Sequence, residues 1–455
     1  MGLSDRSQLA RNAIVLLGFI LIIGLGWSTV YRSGPHTFGE TTWGSRVHRT
    51  DFTVYQAAGR AVVAGTDIYQ AHNRRHWYFM YLPLFAIAMV PFARMNAFWG
   101  SLLWYIFSLG MMAHALSLSV RVARKSFPDS RIGEFWLYTL TALLVLWPAM
   151  SALARGQAAI LVSYLVIASA WFSLQERYDW AGFCLAASII VKVFPALLLA
   201  YFLVLRKLRS VAVTTVFLVL FLWIIPGAVL GMRQNAQFLR EWWVTIALPA
   251  MRPEQARENI RFSQLINPYI PKNQSLQALL IRELADAAAE SPRPDRERLA
   301  RRMATVIGIL LFLLTIWASP GRGKDQHDQD AVLQFCLIIP MMLFVSPVSW
   351  MQNYTLLALP LAVALSAASR TTPHPMTWMF RLALIIYFAA NLISLALRPF
   401  YGHGALLWGA MVLWGAFVRA AVKARRSRRW PTGGLIAHGR DHSQTPSSTR
   451  QGGLP

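Results

Sequence analysis

With 455 residues, of which 56% are hydrophobic, 13% aromatic and only 14% charged, the chain is too apolar for an ordinary soluble domain and reads as a polytopic membrane protein. Its formal net charge of +24 would suggest a nucleic-acid partner in a soluble protein, but much of the surplus sits in short loops between apolar runs and in the tail, the pattern of topology signals. The two cysteines, Cys184 and Cys336, lie far apart inside apolar segments, which argues against a disulfide framework, a redox pair or a zinc site.

Cut at the roughly 20 apolar residues that a helix needs to cross a bilayer, the sequence gives candidate spans near 13–31, 97–120, 134–153, 157–174, 212–231, 303–319, 331–346, 353–369, 379–396 and 404–421. The first shows no small-residue cleavage pattern and reads as a signal anchor. The stretch from Trp180 to Leu205 is too long for one span and interrupted by Lys192 and Pro195; two short helices hinged there bring the total to about twelve. Arg121, Arg124, Lys125 and Arg131, then Arg206 to Arg209, Arg322 and Lys324, and Arg419 to Arg429 share one side, which places that side and both termini in the cytoplasm. The arginines of the first long loop, Arg32 to Arg75, run against this assignment. The expected fold is an all-α membrane bundle over residues 1–422, with outer loops at about 32–96 and 232–302 and a basic, disordered tail at 423–455.

Within the first outer loop, Phe52, Tyr55, Ala58, Val62 and Val63 recur at helical spacing, while Gln56 and Arg60 take the other face and Gly59 adds to neither. This predicts an amphipathic helix lying in the membrane surface. Asp51 opens it, as an N-cap or as a general base able to take a proton from an acceptor hydroxyl. Asp67, in AGTDIY, reads as a turn residue. His72 and His76 have the spacing of a helical metal pair, but no third ligand follows, and no metal or cofactor is expected.

Arg155 and Gln157 fall in ARGQAAI between two spans, where the arginine either caps the preceding helix or meets phosphate or sugar. Lys192, in AASIIVKVFPALLL, is a costly charge in an apolar run: it snorkels, or it holds the phosphate of a lipid-phosphate donor. The second outer loop opens with amphipathic material around Phe238, Trp242, Trp243 and Ile246 and passes through INPYIPKNQSLQALLIREL, with Asn273 or Ser275 as a helix cap. It ends in a charged stretch, SPRPDRERLARR. In SPVSWMQNY, Trp350 stands beside Gln352 and Asn353, a set that suits a sugar as well as a membrane interface.

The order DFTVYQAAGRAVVAGTDIY, YLPLFAIAMVPFA, RGQAAILVSYLV, KVFPALLLAYFLVLRK, NQSLQALLIREL and SPVSWMQNYTLLALP, spread over residues 50–365, resembles the polyprenol-phosphate-mannose-dependent alpha-1,2-mannosyltransferases of glycosyltransferase family 87, which have the GT-C architecture. The resemblance implies a membrane hexosyltransferase that moves mannose from a polyprenyl-phosphate donor to a lipid-linked or glycan acceptor at the outer face of a bacterial inner membrane. Asp51 would be its base. Lys192, Gln157, Asn273, Gln274 and Trp350 match recurring positions of the family; the expected donor-phosphate residues are Lys192, Arg155 and Arg261, and the expected substrate contacts are Tyr55, Tyr69, Tyr81, Gln157, Asn273, Gln274, Trp350, Gln352 and Asn353. Two departures stand out: the usual tyrosine-proline-proline is Tyr81-Leu82-Pro83, and the histidines that often follow the serine-tryptophan motif are Gln352 and Asn353. A transporter or flippase, or a lipid-linked glycan polymerase, are the competing classes; the first favours internal repeats, absent here, and the second paired arginines.

Overall fold

The computed structural model describes residues 3–33, 50–73, 76–251, 267–284, 294–320, 328–370, 375–397 and 401–429. Arg261, the start of the first outer loop and the tail beyond Arg429 lie outside the described residues. Among the described residues the elements are helical, joined by turns and isolated bridges.

The first helix, α1 (Leu3–Ser33), precedes the outer-loop helix α2 (Phe52–Ala64) and two short pieces, α3 (Pro83–Ala88) and α4 (Val90–Ala93). A long span, α5 (Ala97–Ser126), follows. Asn96 caps it by accepting from the Trp99 amide at 3.0 Å. The next span bends by 62° between α6 (Glu134–Leu144) and α7 (Leu146–Arg155). Then come α8 (Ala159–Leu174), α9 (Tyr178–Val191), α10 (Ala196–Val204), α11 (Leu208–Val219), α12 (Ile225–Leu230), α13 (Met232–Trp242) and α14 (Leu248–Met251). Beyond the second outer loop run α15 (Leu276–Leu284), α16 (Pro294–Ala318), α17 (Asp328–Val345), α18 (Ala358–Ala368), α19 (Pro375–Ala396) and α20 (Ala405–Arg429).

Seven of these helical stretches are long and apolar enough to cross a bilayer, or eight when the bent α6–α7 pair counts as one. The protein is therefore an integral, multi-pass membrane protein. The rest of the expected dozen are shorter apolar helices, α8, α9 and α17, together with the half-helix α10. The hinge in 180–205 falls where Lys192 leaves the helix with extended dihedrals (φ −145°, ψ 131°) and Pro195 starts the next. The charged stretch before the expected span at 303 is helical from Pro294 onward, with Arg298 on Asp295 and Arg301 on Glu297 at one-turn spacing.

At the centre lies α18, reached through a 3-10 turn, Met351–Leu357, whose seven residues are all buried. Its sequence, ALPLAVALSAA, is built of small residues, so that α5 can pack closely against it without large side chains holding the backbones apart. A second device joins α12 to α13. Pro226 has no N–H to offer the carbonyl four residues back, Leu222, and this carbonyl accepts instead from the Asn235 amide at 2.8 Å, pinning α13 to α12.

The first-loop helix differs from its expectation. α2 is tucked into the protein, with Phe52, Tyr55, Gln56, Ala58 and Gly59 all buried and Val63 exposed. Gln56 is not on a solvent face: its amide donates to the carbonyls of Phe92 and Met95 at 3.0 and 2.9 Å. Gly59 matters as well, because a Cβ there would meet the Met89 carbonyl oxygen at 2.5 Å. The strand-like segment after α2 is not helical either. His72 pairs with Tyr78 in a bridge, so His72 and His76 are not a helical metal pair.

Candidate active site

Asp51 stands at the head of α2, but its carboxylate makes no cap hydrogen bond. The reason lies in the turn between α7 and α8. Gly156 adopts a left-handed conformation (φ +61°), and the amides of Gly156 and Gln157 return to the carbonyls of Leu153 and Ala152 at 3.1 and 3.0 Å, a Schellman-type ending. Backbone donors thus satisfy these helix-end carbonyls, and the Arg155 side chain is not needed as a cap. A Cβ on Gly156 would sit 3.0 Å from that of Phe52, so only glycine lets the turn approach α2 this closely. The contact is completed by two bonds: the Asp51 amide donates to the Arg155 carbonyl at 2.8 Å, and the Gln157 side-chain amide donates to the Asp51 carboxylate. Trp104 locks the turn from behind, donating from its indole to the Gly156 carbonyl at 2.9 Å.

Burial pushes the Asp51 carboxyl up from 3.8 to about 6, against the opposing pull of Arg155, Lys192 and the Gln157 hydrogen bond. Yet Asp51, Tyr81, Arg155, Gln157 and Lys192 each keep partial solvent access.

Lys192 enters from the α9–α10 hinge. Its ammonium donates to the Asn353 side-chain carbonyl at 2.9 Å, so it turns inward rather than snorkelling to an interface, and it lies within electrostatic reach of Asp51. Asn353 is held by the central 3-10 turn, where its own amide donates to the Trp350 carbonyl at 2.8 Å. A neutral amide orients the ammonium without neutralising it, which leaves the positive charge available to an anion.

Two tyrosines complete this side. The Tyr55 and Tyr81 hydroxyls are 3.0 Å apart, and the Ala158 amide donates to the Tyr55 oxygen at 3.3 Å. Tyr55 is 1% exposed; were it to accept from both neighbours, its own proton would be buried without a partner, at a cost of about 1–3 kcal/mol. Tyr55 therefore donates to Tyr81, and the Tyr81 proton is left over on a hydroxyl close enough to Asp51 to feel its charge. Two donors grip the backbone at this point: the Tyr69 hydroxyl bonds the Tyr81 carbonyl and the Trp242 indole bonds the Met80 carbonyl, both at 3.2 Å.

Residues 79–347 match glycosyltransferase family 87. The chain belongs to this family. It is 26% identical over 432 residues to a polyprenol-phosphate-mannose-dependent alpha-(1-2)-phosphatidylinositol mannoside mannosyltransferase of Mycolicibacterium smegmatis, covering 89% of this chain and 90% of that one. It is 25% identical over 355 residues to the Mycobacterium tuberculosis protein of the same description, covering 72% and 73%. Among solved structures it is similar to ArnT from Cupriavidus metallidurans bound to undecaprenyl phosphate, at 13% identity and a TM-score of 0.35 over 91% of this chain and 78% of that one, a likeness too weak to build on.

In this family 87 glycosyltransferase the other expected site residues fall in a different setting. Asn273 and Gln274 are wholly buried and hold backbone together. The Asn273 carbonyl oxygen accepts from the Ser275 and Ser349 amides at 3.3 and 3.1 Å; the Gln274 amide donates to the Pro271 and Tyr401 carbonyls at 2.6 and 2.8 Å. Ser275 caps α15 by accepting from the Ala278 amide. Trp350 pairs with Asn273 in a bridge, and Gln352 is buried in the same turn as Asn353. Tyr69 is buried between Phe79 and Phe238, with its hydroxyl on backbone. Asp67 is the turn residue expected, accepting from the Tyr69 amide at 2.8 Å.

Sequence reasoning missed Arg282, which donates to the carbonyls of Gly402, Pro268 and Asn273 at 2.8, 2.8 and 2.9 Å and closes this outer corner over Tyr401. An arginine on the amphipathic helix LQALLIREL was the available signal. An open groove of about 620 Å³ lies separately against α13, beside Asp67, Arg233 and Glu241, and Asp51, Tyr81, Arg155, Gln157 and Lys192 do not line it.

Proposed function

We propose that this glycosyltransferase moves a hexose, mannose in the first instance, from a polyprenyl-phosphate donor to a hydroxyl of a lipid-linked acceptor at the membrane face away from the cytoplasm. The reading draws its donor from what the mycobacterial relatives are described as using. Its supporting observation is one of geometry: a carboxyl with no capping role and an inward-turned ammonium, carried by distant segments, are within electrostatic reach of each other.

The donor phosphate pairs with Lys192 and with the guanidinium of Arg155, and its lipid tail leaves between spans. Asp51 faces the other side of the sugar. As the acceptor oxygen attacks the anomeric carbon, its proton passes to an Asp51 carboxylate oxygen. The bond from the anomeric carbon to the phosphate oxygen breaks, and the polyprenyl phosphate departs with the electron pair. A single in-line displacement of this kind inverts the anomeric centre. Charge developing on the departing phosphate is met by cations already in place, which is the larger part of the rate gain such a site can supply.

The test is to incubate the purified full-length protein with a panel of polyprenyl-phosphate sugars and an alkyl mannoside, and to analyse products by mass spectrometry. Transfer of one hexose with inverted configuration is expected. A donor that is a nucleotide sugar, with every polyprenyl-phosphate sugar inert, would overturn the reading.

A further inference from the structure

The hydrogen-bond chain from the Ala158 amide through Tyr55 to Tyr81 has a direction, and it ends on the Tyr81 proton. We infer that the Tyr81 hydroxyl is a substrate-contacting positioning group that donates to the acceptor oxygen while Asp51 takes that oxygen's proton. This rests on the transferase reading above and adds to it how the nucleophile is aligned.

Tyr81 is held like a rigid pointer. Its ring meets Tyr55 edge-on at 5.2 Å and packs against Phe85 at 5.0 Å and Phe79 at 5.6 Å, and its carbonyl is tied by the Tyr69 hydroxyl. Its oxygen already accepts from Tyr55, so the remaining proton is fixed in direction as well. Among the described residues no hydrogen bond joins Tyr81 to Asp51, although each is within the other's electrostatic reach. A hydroxyl placed between them would accept from Tyr81 with one lone pair and donate its proton to Asp51. Its second lone pair would be left for the anomeric carbon. Two fixed directions at one oxygen orient the attacking orbital, which is what converts an encounter into a near-attack geometry. The acceptor oxygen bonds the anomeric carbon as the bond to the phosphate oxygen breaks; among the protein groups Tyr81 keeps its proton throughout, and Asp51 alone gains one.

The test compares the wild-type protein with Tyr81→Phe and Tyr55→Phe, using polyprenyl-phosphate mannose and octyl mannoside as probes, with thermal unfolding as a check on folding. Tyr81→Phe, which keeps the ring packing, is expected to lower kcat/KM for octyl mannoside by about 10- to 100-fold, leave the donor KM within about twofold, and leave the acid limb of the pH profile in place. Tyr55→Phe, which frees the Tyr81 proton to swing, is expected to lose about 3- to 10-fold. Acceptor kcat/KM within twofold of wild type in Tyr81→Phe would overturn the inference. So would an acid limb that moves in that variant, since Tyr81 would then act by tuning Asp51 rather than by holding substrate. A wild-type protein inert with every polyprenyl-phosphate sugar would overturn the transferase reading itself, a result distinguishable from an active wild type with an equally active Tyr81→Phe.

Discussion

Two polar regions of this protein use their side chains in opposite ways. Around Asn273, Gln274 and Arg282, the donors and acceptors close on backbone: carbonyls of Pro268, Pro271, Asn273, Tyr401 and Gly402 are all taken up by side-chain N–H groups. Around Asp51 and Lys192, the end of α7 is closed by backbone, through the Schellman ending at Gly156, and the polar heads pair with one another, Gln157 on Asp51 and Lys192 on Asn353. The first region is a clasp that joins the second outer loop to the turns before α18 and α20. The second is the candidate site. Amino-acid type does not separate them, since both contain amides and arginine; what a group's hydrogen bonds are used for does.

The sharpest way to break the comparison is at Asp51. Asp51→Asn keeps the shape and removes the base, and transfer is expected to fall by about 10²- to 10⁴-fold in initial-rate assays. Its effect on stability should have the opposite sign. A carboxyl raised from 3.8 to about 6 by burial favours its neutral form in the folded state, so the wild type gains stability as pH falls from about 6 toward 3.8. At pH 7 the burial of that charge costs roughly 3 kcal/mol, and the amide should unfold at the same temperature as wild type or higher. Near-normal transfer by a folded Asp51→Asn protein would take the base out of the mechanism.

Lys192→Met comes next. Removal of the ammonium should raise the donor KM by about 10- to 100-fold and lower the affinity for polyprenyl phosphate alone to a similar degree, with Lys192→Arg recovering part of it. Unchanged binding of polyprenyl phosphate would make Lys192 a structural partner of Asn353 and move it into the clasp class. Arg282→Ala sharpens the contrast from the other side. It strips three backbone carbonyls of their donor, and a loss of roughly 2–4 kcal/mol of stability is expected, while turnover per folded molecule stays within a few-fold of wild type. A large fall in kcat at unchanged melting temperature would mean that the two regions are one.

Why the sequence distinguished the bundle better than the site follows from the same contrast. Apolar run lengths and the Lys192–Pro195 interruption are local features, and the helices and hinge came out where these features lie. Asp51 stood out as the acid that opens the first-loop helix, and Lys192 because a charge is costly in an apolar run. Whether Asn273 and Gln274 meet substrate or backbone depends on a partner some 76 or 127 residues away, as with the Ser349 amide and the Tyr401 carbonyl, and no spacing along the chain reports that. The burial of Gln56 was hidden for the same reason: a polar residue at a helical position looks solvent-facing until the Phe92 and Met95 carbonyls are seen above it. The direction of the Tyr55–Tyr81 hydrogen bond needs both hydroxyl positions and the burial of one of them.

The smallest expected effect, and the most specific to the site, is at Gln157. Its amide donates to the Asp51 carboxylate, a bond made to the charged form, and so it holds the carboxyl lower than burial alone would. Gln157→Ala removes that donor and should raise the Asp51 value above about 6. Because the base works only when deprotonated, kcat/KM rises with pH through that value and then levels. The acid limb of the variant should therefore sit at higher pH, by up to about one unit, with the plateau at alkaline pH within roughly tenfold of wild type. The Asn273→Ala protein supplies the contrast, since an amide that serves only backbone should lower stability and leave the limb where it was. A limb that stays put in Gln157→Ala, or one that moves in both variants, would remove the distinction between the amide that tunes the base and the amides that close the clasp.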